Sequence, residues 1–196
     1  MNKKHLYWYE LPKERWAEKH WSDSQKTKLY RSEHRFRLQF WRDTGEPKFG
    51  SIEEAQKYVD KLLASAWITK RWGKQESVTV IHRERKSCTA YKWDRIIKLS
   101  KWGWCPVVVL HELAHILHPS YYGRPHGRYF ARTLLELITW QFGNDARKIL
   151  KSLFKSSKVK TNPFPNYSDE VLQKKRERGK ELAATYLKKT ACAESC

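Results

Sequence analysis

The sequence lacks several things, and each absence removes a class of protein. It has no C-x-x-C pair. Its four cysteines, Cys88, Cys105, Cys192 and Cys196, are scattered, so no zinc ribbon is encoded. In a chain of 196 residues four such cysteines do not make a disulfide scaffold, and a reducing compartment is expected. There is no run of about 18 apolar residues, which excludes a membrane-spanning helix. The opening stretch, MNKKHLYWYELPKERW, has neither an apolar central region nor a small-residue cleavage site and does not read as a signal peptide. No internal repeat is visible. Acidic residues are also scarce, 21 against 40 Lys and Arg, which leaves a formal net charge of +19. That excess favours anionic partners, nucleic acid foremost. It forms no polybasic block, however, so a merely solubilising basic surface explains it equally well.

What the chain does have is Val107–His118, VVVLHELAHILH. It reads as an apolar helix bearing H-E-x-x-H. One helical turn separates His111 from His115, placing both imidazoles on one face, where they can chelate a zinc ion. Glu112 projects beside them, positioned to take a proton from water. The flanking residues are apolar, so these polar side chains lie on a buried helix. Buried polar groups are costly without partners, and a metal supplies the partner. Pro106 suits a first helical position and Pro119 ends the segment.

The rest of the chain predicts an α+β domain. Residues 1–21 form an aromatic and basic extension, 22–155 the catalytic domain, and 156–196 a linker and a basic helical tail. Arg35–Trp41 alternates, with Phe36, Leu38 and Phe40 on one face, and predicts a strand. Ser51 and Glu54 form a capping box opening a helix to about Arg71, which Gly73 closes. Ser77–His82, Cys88–Trp93 and Ile96–Leu99 predict three strands, paired antiparallel as the most economical arrangement. A further helix begins near His126–Gly127 and stops at Gly143, with a short helix, Asn144–Phe154, after it. The ten Trp and ten Tyr can stack on bases or serve as half-buried packing residues.

A catalytic zinc takes three protein ligands and keeps a position open. His118 shares the helical face but lies too far along the helix from His111 to reach the same ion, so it belongs behind the ligands or at the rim. Two residues compete for third ligand: His126, at the start of the next helix, and Glu136, deeper in it. They point roughly 80° apart on that helix. His126 is preferred, because Gly127 lets the backbone approach closely. Tyr121, Tyr122 and Arg128 flank His126 and are candidate oxyanion or substrate contacts.

HELAH followed by HGRYF (His126–Phe130) resembles the H-E-x-x-H … H-G-x-x-F pattern of SprT-like (Spartan-type) zinc metallopeptidases. A closer resemblance is to an uncharacterised zinc metallohydrolase family of actinobacteria and their phages. It extends through DSQKTKLY (Asp23–Tyr30), Ser51–Gly73, VVLHELAHIL and HGRYFARTLLELITWQFG, about residues 22–150. It implies a compact zincin-like α+β domain, to which the reading of the residues adds a small antiparallel sheet, an HExxH helix and a following helix bearing the third ligand. It further implies zinc held by His111, His115 and His126, and Glu112 as catalytic base. The implied activity is a metallohydrolase, most simply a metallopeptidase on protein or peptide substrates, including proteins associated with nucleic acid. The expected location is the cytoplasm, a host's if the gene is a phage's. The zinc ribbon of many SprT proteins is missing, and residues 1–21 and the last forty or so have no counterpart. The competing expectation is a nucleic-acid-binding or protein-interaction module with a zinc site and no catalysis.

Overall fold

The computed structural model describes residues 25–92, 94–117 and 125–161. Its elements follow from local signals that mostly agree with the sequence. Helix α1, Lys26–Phe40, comes first. Helix α2, Ile52–Leu63, is capped by the Ser51 hydroxyl, which accepts from the Glu54 backbone N–H at 3.3 Å. The Glu54 carboxylate reaches back and accepts from the Gly50 N–H at 2.8 Å, so the capping box closes one residue earlier than its usual form. The helix expected to run to Arg71 is two helices. Ser65 starts α3, Ala66–Trp72, by accepting from the Ile68 N–H at 3.2 Å, and Gly73 ends it at φ +79°. A new cap inside an apolar stripe turned the chain while keeping Ile68 in the core.

Three short strands follow: β1 Thr79–His82, β2 Thr89–Tyr91 and β3 Ile96–Leu99. Their order is β1-β3-β2. β3 pairs antiparallel with β2 but parallel with β1, so the sheet is mixed and the all-antiparallel expectation was wrong. The most apolar strand, with Ile97 and Leu99 fully buried, takes the centre, and that forces β1 and β2 to opposite edges. The outer side of β1 is covered by Gln56 of α2. Its amide donates to the Val78 carbonyl at 2.8 Å and accepts from the Val80 N–H at 2.6 Å, imitating a fourth strand.

Lys101–Gly103 forms a single tight turn that leads into α4, Pro106–Leu117. Every residue of α4 except His115 is buried, as expected of a helix apolar on all sides. It packs against β2, β3, α2 and the last helix. That helix, α5, spans Arg128–Ser156 and is broken at Gly143, where φ is +83° and ψ −172°. The two helices expected on either side of Gly143 are therefore present.

α1 replaces the strand expected at Arg35–Trp41. The true period is Leu29, Glu33, Phe36 and Phe40, one helical face laid against α5. Leu38, expected to share a strand face with Phe36 and Phe40, is 62% exposed. No helix among the described residues is long and apolar enough to cross a membrane.

Candidate metal centre

α4 carries His111 and His115 one turn apart, and their ring centroids lie 5.0 Å apart. His126 enters from the chain just ahead of α5, with Gly127 as that helix's N-cap in extended conformation. Its ring lies 5.3 Å from that of His111 and 4.7 Å from that of His115. Each histidine offers one ring nitrogen, and the three nitrogens lie within 4.8 Å of one another. Phe130, one turn into α5, packs against all three rings, at 4.8 Å from His111, 4.3 Å from His115 and 5.1 Å from His126. The cluster thus has an apolar floor, and His111 and His126 are buried.

The donor set fits zinc. Three imidazole nitrogens converge, and among the described residues no further His, Cys, Asp or Glu joins the group. A structural zinc has four protein ligands, whereas a catalytic one has three and an open position.

α1 supplies partners that the motif did not announce. The His111 Nδ1–H donates to the Glu33 carboxylate, at 2.9 Å and 3.1 Å to its two oxygens. That bond assigns the proton to Nδ1, which leaves the Nε2 lone pair for a metal. Burial alone would lower the His111 pKa, but the charge and hydrogen bond of Glu33 outweigh it and raise it. Three residues before Glu33, Tyr30 lies against both His111 and His126, and its hydroxyl is 3.2 Å from His126 Nε2. Gln25 donates to the His126 carbonyl at 3.3 Å and accepts from the Lys160 N–H at 2.6 Å, tying the ligand's backbone to the chain beyond α5.

Glu112 is 5% exposed and hydrogen-bonds the Ala90 backbone on β2. Burial is the main reason its carboxyl is pushed up to about 7. The His111 charge opposes that rise and the nearby Glu33 charge adds to it. A carboxyl held near neutrality beside the ligands is matched to proton transfer.

Glu136 is not a ligand. It accepts from Arg132 Nε at 2.7 Å and from Arg71 Nε at 2.9 Å, and so belongs to an ion-pair group between α3 and α5. Arg128 is exposed at the first turn of α5, with its guanidinium 5.8 Å from the Tyr129 ring centre. Tyr121, Tyr122 and His118 lie outside the described residues, as do the N-terminal extension and residues 162–196 of the C-terminal one.

No family model, curated protein or solved structure matches this chain. The residues alone therefore carry the assignment. They form a zincin-like His/Glu metal centre within an α+β fold, and the arrangement supports a zinc-dependent hydrolytic site of the kind found in metallopeptidases.

Of the residues that build it, Glu33, Tyr30 and Gln25 escaped the reading by motif. Tyr30 and Gln25 fall inside the DSQKTKLY segment, and Glu33 follows it at the helical spacing Tyr30–Glu33. That spacing on one helical face was the available signal.

Proposed function

We propose that this protein is a zinc-dependent peptidase, close in kind to SprT-like enzymes, working in a reducing cytoplasm. The observation that carries the reading is a buried glutamate next to a three-histidine cluster. A zinc ion in such a site supplies Lewis acidity, polarising an amide carbonyl and making water acidic near pH 7.

The chain's own residues do the rest. Glu33 fixes the tautomer and aim of His111. Phe130 excludes water from beneath the rings. Glu112 takes a proton as the water oxygen bonds to the carbonyl carbon. It then delivers that proton to the amide nitrogen as the C–N bond breaks. Hydrogen-bond donors to the developing oxyanion are drawn from Tyr121, Tyr122 and Arg128, which flank His126 in sequence.

The strand next to Glu112 supports a peptide as substrate. β2 is an edge of the sheet, and an extended chain can add to such an edge through backbone hydrogen bonds. The catalytic unit is residues 22–155, with 1–21 and 156–196 as extensions. Proteins that associate with nucleic acid are the substrates this reading favours.

The test is Glu112→Gln with metal content and peptide hydrolysis measured side by side. The variant should keep about one zinc per chain, since Glu112 is no ligand, and lose activity by at least about 10²-fold, the scale of general acid–base catalysis. Full activity in that variant would leave a zinc-bearing binding module and no catalyst.

A further inference from the structure

The concavity of about 560 Å³ between α3 and α5 contains none of the three histidines. Its floor is aromatic. Trp67 of α3 and Trp140 of α5 stack with ring centres 5.1 Å apart and planes 7° from parallel. Its rim is cationic. Arg71 and Arg132 converge on Glu136, whose single carboxylate accepts from both. Arg147, exposed on the far side of the break in α5, has no ion-pair or hydrogen-bond partner among the described residues. Three guanidiniums against one carboxylate leave the groove with two positive charges in excess.

The shape is built into the backbone. Gly143 sits at φ +83°, and a Cβ added there would meet nothing within 4 Å. The glycine is therefore required for its left-handed conformation and not for space. The break it makes lets both halves of α5 line one groove, with Arg132 and Trp140 before it and Arg147 after it. Glu136, 16% exposed at its side chain, holds two guanidiniums in place before any ligand arrives.

We propose that this groove binds single-stranded nucleic acid, with bases stacking on the outer ring faces of the Trp67–Trp140 pair and phosphates meeting Arg71, Arg132 and Arg147. A stacked indole pair that extends its stack to a base, beside fixed guanidiniums, matches the alternation of base and phosphodiester. A duplex hides its base faces, and an acidic peptide offers charge without a planar face to stack. The net charge of +19 supplies long-range attraction, and the groove supplies the place. The groove contains no residue of the histidine site, so its binding does not depend on whether Glu112 is catalytic.

The experiment is fluorescence anisotropy of labelled oligothymidylate titrated with the full chain over a range of salt concentrations. Arg147→Ala removes an exposed cation with no ion-pair partner among the described residues and should leave the fold intact. It should weaken binding and lower the slope of log affinity against log salt by about 0.7, the value for one lost single-strand phosphate contact. Trp140→Ala should weaken binding by about tenfold or more through lost stacking. Trp140→Leu, which keeps apolar bulk, should lose affinity comparably. The double substitution Lys57→Ala/Lys61→Ala removes two exposed cations of α2 that do not line the groove, and should leave affinity nearly unchanged. Wild-type affinity in both Arg147→Ala and Trp140→Leu would overturn the proposal. So would an equal loss in the lysine control, or equal binding of a duplex with the same number of phosphates. Displacement by polyglutamate as effective as by unlabelled oligothymidylate would replace nucleic acid with an acidic protein as the ligand.

Discussion

Glu33 and Glu136 both face partners that carry or can carry positive charge, yet their surroundings differ. Glu33 is buried in the packed interior against His111. Glu136 lies near the surface between two arginines whose side chains are 30% and 38% exposed. Burying a carboxylate costs free energy that an apolar residue at the same position would not. The buried carboxylate therefore points to a role beyond stability, which here is the aim of a metal ligand. The surface carboxylate needs no such role to persist, because exposed ion pairs cost little and contribute little. It organises a groove instead.

That contrast can be broken at either end. The largest effect is expected at Glu33. Glu33→Ala should weaken zinc affinity by about 10- to 100-fold, the usual penalty for losing the partner of a ligating histidine. Competitive chelator titration measures this. An unchanged affinity would make Glu33 merely a buried ion-pair partner.

An intermediate effect is expected at Glu46, which Arg37 of α1 clamps in fork geometry, with Nε at 2.7 Å from one carboxylate oxygen. Burial tends to raise the Glu46 pKa. The hydrogen bond and charge of Arg37 outweigh it and hold the carboxyl below its ordinary value. A carboxylate depressed in the folded state contributes stability above its unfolded pKa and loses it as pH falls through the folded one. Glu46→Gln should therefore lower stability at pH 7 by about 1 kcal/mol, and the gap between variant and wild type should close in acid below the usual carboxylate range. Denaturant melts at neutral and strongly acidic pH check both the size and the sign.

The smallest effect is expected at Glu136. Glu136→Gln should change stability by less than about 1 kcal/mol and leave zinc affinity untouched. A zinc affinity that falls with Glu136→Gln would contradict its placement in the Arg71–Arg132 group.

The legibility of the sequence divides along the same line. α4 could be read because its signal is local. H-E-x-x-H sits on one helix, Pro106 opens it, and the neighbours are apolar. His126 could be read from a short motif with a glycine next to it. α1 could not, because the residue that serves the site disguises the helix. Glu33 occupies an inward position where an apolar residue would have completed the stripe from Leu29 to Phe36, and its charge made the shorter Phe36-Leu38-Phe40 alternation look like a strand. The mixed sheet was hidden for a different reason. Strand order depends on which strand is buried deepest, and that is set by packing against α4, not by anything within β1, β2 or β3. The groove is non-local as well, since Arg71 and Glu136 meet only once α3 and α5 are packed.

The central claim is that three histidines hold the metal and that Glu136 does not. Zinc content of purified His126→Ala and Glu136→Ala, measured by atomic emission beside wild type, tests it directly. His126→Ala should lose most of its zinc and Glu136→Ala should retain about one ion per chain, as three-ligand coordination requires. Retention by His126→Ala together with loss by Glu136→Ala would contradict it.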